Sequence, residues 1–224
     1  MSTTLSFRTG RQPATEKRLA GYVYPCRRRS KAARLYLYAD TLTAHTAVAV
    51  HGYTDNAVRM LHIAYLYNHD LHYNVLLPDL RFAGQSEGDH IQMGWKDRLD
   101  VLRWMEVANE LFAPEGSQTR MVVHGISMGA ATTLCVSGEP QPPFVNCFVE
   151  DCGYTSVWDE YAGELKNQFG LPAFPLAPSG QLGYTPALRM GFPGSLATGT
   201  SKKMPASHVV HSRYGRHVRT DLDG

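Results

Sequence analysis

Four short apolar runs recur along the middle of the chain, each stopped by polar or turn-forming residues. Residues 47–50 (AVAV), 74–77 (NVLL), 121–124 (MVVH) and 144–149 (FVNCFV) each read as a strand. The stretches between them carry helical spacing. Residues 56–67 follow a candidate N-cap at Thr54 or Asp55. Residues 93–112 set Val101, Trp104, Met105, Ala108, Leu111 and Phe112 at i, i+3, i+4, i+7 spacing, and Pro114 and Gly116 end that helix. Residues 128–137 form a third helix closed by Gly138, and residues 158–168 a fourth. Near-continuous apolar strands separated by helices predict a mostly parallel sheet with helices on both faces, the α/β fold class.

The flanks break the pattern. Within residues 1–43 only RLYLY at 34–38 alternates like a strand. From residue 176 onward the chain is rich in Gly, Pro, Ser and Arg and has no run of four apolar residues free of Gly or charge, so no further strand is expected there. The reading is three parts: a basic, poorly patterned segment (1–43), an α/β core (44–175) and a tail (176–224) that is disordered or out of frame. No internal repeat is present.

Charge follows the same boundaries. The net of +2 over 224 residues conceals +7 in residues 1–43, −9 in residues 44–175 and +4 in residues 176–224. With 43% hydrophobic and 19% charged residues the composition is that of a globular protein and excludes a collagen, a coiled coil or a disulfide miniprotein. No apolar run approaches the roughly 18 to 20 residues that cross a bilayer, and the N-terminus lacks the apolar core of a signal peptide, so a cytoplasmic location is expected. Cys26, Cys135, Cys147 and Cys152 form no CxxC pair and have no His at zinc-ligand spacing, which reads as buried, reduced thiols.

The chemistry-bearing motif is Gly125-Ile126-Ser127-Met128-Gly129, a G-x-S-x-G between a strand and a helix. A nucleophile on so sharp a turn needs small residues two positions either side, because side chains there would strike the strand and helix that close over it. Ser127 is then expected in a strained backbone conformation, its hydroxyl at the carboxyl edge of the sheet near the positive helix end. His51-Gly52-Tyr53-Thr54-Asp55 also follows a strand and leads into a helix, where an oxyanion-binding loop belongs. The backbone N–H groups of Tyr53 and Met128 are the candidate donors, each worth on the order of 3 kcal/mol in a transition state. His51 and His124 read as structural residues at strand ends, and His62, His69 and His72 as helix-face or loop residues.

Taken in order, HGYTDN at 51–56, PDLR at 78–81 with GQSEGDH at 84–90, HGISMGAATT at 124–133 and EDCGYTSVWDE at 150–160 resemble the α/β-hydrolase superfamily, in particular its bacterial serine-hydrolase branch of esterase-like and acyl-peptidase-like proteins. The resemblance covers about residues 44–175. It implies Ser127 as nucleophile, Tyr53 and Met128 as oxyanion donors, an acyl-enzyme formed on a small-molecule ester, thioester or amide, and no metal or organic cofactor.

Two departures stand out. The family loop usually reads D-x-R-G-H-G-x-S, whereas here Phe82 and Ala83 replace the Gly-His pair, and Phe enters a positive φ less cheaply than Gly, so a rearranged loop is expected. The contexts that hold the family's catalytic acid and His are missing beyond residue 175. Asp151 and the tail's His208, His211 and His217 are the available substitutes. The alternatives to an active hydrolase are therefore a truncated or frameshifted, non-catalytic fragment incomplete at both ends, or a binding module that uses residues 27–31 and 202–219 as basic arms; no nucleic-acid or membrane partner is expected of the hydrolase.

Overall fold

Alternate residues of the central strands fill two separate cores, which is why the runs look continuously apolar. Strand β4 (His45–Val50) sends Ala47 and Ala49 to one side and Val48 and Val50 to the other. Strand β5 (Asn74–Pro78) splits Val75 and Leu77 from Leu76, and β6 (Arg120–Ile126) splits Val122 from Met121 and Val123. All these side chains are buried. Helices α2 (Asp97–Phe112) and α3 (Met128–Ser137) cover one face, while α1 (Leu61–Tyr65) and the π-helical turn Leu66–Asp70 cover the other.

The computed structural model describes residues 4–5, 19–25, 31–154, 156, 157, 160, 162, 163, 166, 167 and 209–212. Among these the sheet has eight strands, in the order β1-β2-β3-β5-β4-β6-β7-β8. Strands β5, β4, β6, β7 (Val145–Asp151) and β8 (Val209–Ser212) run parallel. Strands β1 (Thr4–Leu5), β2 (Leu19–Pro25) and β3 (Lys31–Leu37) add as an antiparallel meander on the edge of β5. The architecture is thus the expected α/β one, a parallel sheet with helices on both faces.

Each expected central strand exists: β4 begins two residues earlier, β5 ends one later, β6 spans 120–126 against 121–124 and β7 spans 145–151 against 144–149; α3 has the expected bounds. At 158–168 the described positions 160, 162, 163, 166 and 167 are helical. Elsewhere the boundaries moved. Neither Thr54 nor Asp55 caps α1: Thr54 has φ 54 and its hydroxyl donates to the Tyr53 carbonyl, whereas the Asn56 side chain accepts the Arg59 N–H. The first turn is tight, with i to i+3 bonds from Asn56 to Leu61, and the last is wide, with the Leu71 N–H bonded to the Leu66 carbonyl. That widening turns Tyr67 and Asn68 inward together. Helix α2 starts at Asp97 rather than at residue 93, because Met93 (φ 52) and Gly94 (φ 95) both have non-helical backbones.

The flanks differ more. Strand β2 lies in a segment where no strand was expected, and Val209–Ser212 pairs with β7 despite holding only two apolar residues. Both join the sheet through backbone ladders, which ask little of the side chains. Within the basic N-terminal part, Arg34 is buried, its guanidinium 5.2 Å from the Trp104 ring and 5.7 Å from Tyr36. Cys26, Trp158, His208, His217, residues 27–30 and nearly all of the tail's basic positions lie outside the described residues.

Candidate active site

The order β5-β4-β6 reverses direction at β4, and the crevice at such a reversal is where open α/β sheets take their ligands. Two loops meet there. Gly52 follows β4 so closely beside Ser127 that a Cβ on it would lie 3.4 Å from the Ser127 Cβ and 3.9 Å from its Oγ. Tyr53, the next residue, is 43% exposed.

Ser127 follows β6 with φ 54 and ψ −115 and caps α3, whose first bond runs from the Ala131 N–H to the Ser127 carbonyl at 3.0 Å. A non-Gly residue pays about 1 to 3 kcal/mol for such a backbone. The surroundings enforce it. A Cβ on Gly125 would meet the Gly129 carbonyl oxygen at 2.1 Å, and one on Gly129 would meet the Val50 oxygen at 2.1 Å. The Ser127 N–H is held by the Asp151 carbonyl of β7 at 2.8 Å. Met128, first residue of α3, buries its side chain in the core, and its N–H belongs to the turn whose donors have no partner within the helix.

Strain is not confined to the serine. The loops after β4, β5, β6 and β7 each hold a non-Gly residue at positive φ: Thr54 (54), Phe82 (59), Ser127 (54) and Cys152 (58). Phe82, which stands where the usual loop pattern has Gly, itself takes the left-handed conformation at φ 59. The loop around it explains how. The Asp79 carboxylate accepts the Ala57 N–H at 2.7 Å and the Gln85 N–H at 2.9 Å, and the Asp79 carbonyl accepts the Ser86 hydroxyl at 2.8 Å. Arg81 forks onto Asp100 of α2.

His51 is fully buried and both ring nitrogens are used. The Leu80 N–H donates to Nε2 at 2.9 Å, so the proton sits on Nδ1 and goes to the Gly52 carbonyl at 2.8 Å. Burial pushes its pKa down, against the upward pull of that carbonyl, Asp79 and Asp55. His124 shares its Nδ1 with the Tyr67 hydroxyl at 3.1 Å on the α1 side of the sheet, and its buried Nε2 has no hydrogen-bond partner among the described residues. Burial lowers its pKa too, Asp151 raising it and His62 lowering it. His45, His69 and His72 lie toward the amino ends of β4 and β5, the far edge from Ser127; His72 and His69 pair with Asp40 and Asp70. The register of β8 sets residue 211 level with Glu150 and Gly125, two strands out from β6 and so about 10 Å away along the sheet.

Three features had no sequence signal. Asp97 is fully buried, accepts the Gly94 N–H at 3.0 Å and leaves Oδ1 without a partner among the described residues. Burial above all raises its pKa to about 7; the Gly94 N–H and Arg81 pull down and Asp100 pushes up. Gly94 in turn packs on Thr132 of α3, and the Tyr154 hydroxyl donates to the Met93 carbonyl at 3.1 Å. The third is the Asp151 carbonyl that fixes the elbow. Of the cysteines, Cys135 is buried with its thiol pushed up to about 12 by desolvation, Cys147 is half-buried, and Cys152 is exposed, contrary to expectation, its thiol donating to Asp151 Oδ1 at 3.1 Å. Among the described residues no group of three His, Cys, Asp or Glu could hold a metal, and no helix is long and apolar enough to cross a membrane.

No protein-family profile matches the chain. Over 143 residues it is 30% identical to the uncharacterized protein YqkD of Bacillus subtilis, a match over 64% of this chain and 46% of that protein, so it spans about half the length of that curated relative. Among solved structures it is similar to the Pyrococcus furiosus esterase Pf2001, with a TM-score of 0.58 and 22% identity over 76% of this chain and 65% of that one. It is also similar to acetyl xylan esterase 1 from Thermoanaerobacterium, with a TM-score of 0.56 and 17% identity over 89% and 65%. Likeness at this level of identity establishes architecture and not chemistry: the chain has the fold of the α/β-hydrolases.

Proposed function

We propose that the protein is a serine hydrolase of the esterase and acyl-peptidase-like branch, acting in the cytoplasm on a small-molecule ester, thioester or amide through an acyl-enzyme on Ser127. The observation that carries this is the Ser127 backbone, strained at φ 54 between two glycines that tolerate no Cβ. Strain of this kind clusters at functional sites. In the reaction the Ser127 Oγ adds to the carbonyl carbon as its proton leaves to a base, and the tetrahedral oxyanion is held by the N–H groups of Tyr53 and Met128. Collapse expels the alcohol, thiol or amine, and water then releases the acid. The esterases of similar fold support the reading.

A second reading, a non-catalytic hydrolase fragment, is favoured by the two histidines nearest the motifs: His51 is saturated and His124 is tied to Tyr67. A small fluorophosphonate separates the two. Labelling of the wild type that disappears in Ser127→Ala is the expected result for a hydrolase. Labelling that survives the substitution sinks the nucleophile assignment, and an unlabelled wild type favours the fragment.

A further inference from the structure

The loop after β5 uses glycine where contact demands it and a phenylalanine where conformation argues against it. A Cβ on Gly84 would fall 2.2 Å from the Asp79 carboxylate, and one on Gly88 would fall 2.7 Å from the Phe82 nitrogen. Phe82 itself has φ 59, a conformation that glycine adopts freely and a bulky side chain does not. Burial does not compensate, for the residue is 53% exposed. A large apolar side chain in a disfavoured conformation, and half exposed, gains less from burial than a core residue does.

Its location gives it a use. The Leu80 N–H is bonded to the His51 ring, His51 adjoins Gly52, and a Cβ on Gly52 would lie 3.4 Å from the Ser127 Cβ; Phe82 stands two residues beyond Leu80 on the same edge of the sheet. With β4 between β5 and β6, the carboxyl end of β5 is about 10 Å from that of β6, the span of a medium-length acyl chain. The Ala57–Asp79 bond clamps the two loops together, and Tyr53 exposes a second aromatic ring on the other one.

We propose that Phe82 determines specificity: with Tyr53 it provides an apolar wall beside Ser127, and the substrates are esters carrying a hydrophobic group rather than small acetyl esters. This rests on the hydrolase reading. The test compares wild type with Phe82→Gly and Phe82→Asn, both of which accept positive φ and so keep the loop. A methyl fluorophosphonate should label Ser127 equally in all three, while an octyl fluorophosphonate should label the variants about tenfold more slowly. Octyl placed on the phosphonyl carbon or on the alkoxy oxygen distinguishes an acyl-side wall from a leaving-group wall. An unchanged octyl-to-methyl ratio overturns the proposal and leaves the hydrolase reading intact. If no probe labels the wild type, the hydrolase reading fails, and binding of octylphosphonic acid, which needs no reactive serine, decides the wall: at least fivefold weaker binding in Phe82→Asn supports it, equal binding overturns it.

Discussion

The same four strands behave in opposite ways at their centres and at their carboxyl ends. In the centre, Val48, Leu76, Val123 and Phe148 are buried on regular extended backbone and touch mainly other apolar side chains. One turn further on, each strand runs into a residue at positive φ, and the contacts become hydrogen bonds between loops. The centre supplies stability through burial, about 25 cal/mol for each Å² of apolar surface. The edge draws on it to hold Ser127, and with it Phe82, in backbones that an isolated loop would abandon.

The most severe break in this division of labour is Gly129→Ala. Its Cβ has only the Val50 and His51 backbone oxygens to displace, so the elbow and the β4 loop must both shift. A loss of about 3 kcal/mol or more in chemical denaturation is expected, against a tolerable effect if the elbow were slack.

Next is Asp97, a carboxyl group fully buried at the start of α2. Its native pKa of about 7 exceeds its unfolded value near 4, so the native state binds the extra proton between those limits. Stability should fall as pH rises from about 4 to 7 and level off above. Asp97→Asn, which can still accept the Gly94 N–H, should flatten that slope and be the more stable protein at pH 8. A denaturation series giving parallel wild-type and variant curves would refute the burial argument.

His51→Ala has a smaller effect, about 2 kcal/mol, because it leaves the Leu80 N–H without its acceptor inside the protein. The pH sign is opposite to that of Asp97. His51 is kept neutral below its ordinary pKa, so the unfolded chain takes up the proton first, and stability contributed here declines as pH drops below about 6.5. The variant should lose that part of the acid sensitivity, seen as a shallower fall in urea midpoint between pH 6.5 and 5.

The central alternation was legible because it is local. AVAV, NVLL and the 121–124 run each present apolar side chains to both sides, and strand period alone assigns them. The elbow was legible for a related reason: Gly125 and Gly129 mark a close approach that only small residues allow. Phe82 shows the limit. Its identity argues against a positive φ, yet bonds from Asp79 to Ala57, 22 residues away, and from Leu80 to His51, 29 residues away, hold the loop in its strained form. Likewise β2 and β8 escaped notice, since an edge strand is recruited by the ladder of its neighbour more than by its own pattern.

Sequence alone was sufficient for fold class, the order of the central elements and the serine turn, because periodicity and side-chain size act between near neighbours in the chain. Tertiary structure alone decided that His51 is saturated, that Tyr67 reaches His124 across 57 residues, that Asp97 is buried with a raised pKa, and that an exposed Phe82 stands on the edge that carries Ser127. Those outcomes depend on which distant groups are brought within about 3 Å of one another and on how much water is excluded there, and neither quantity is encoded in any short stretch of residues.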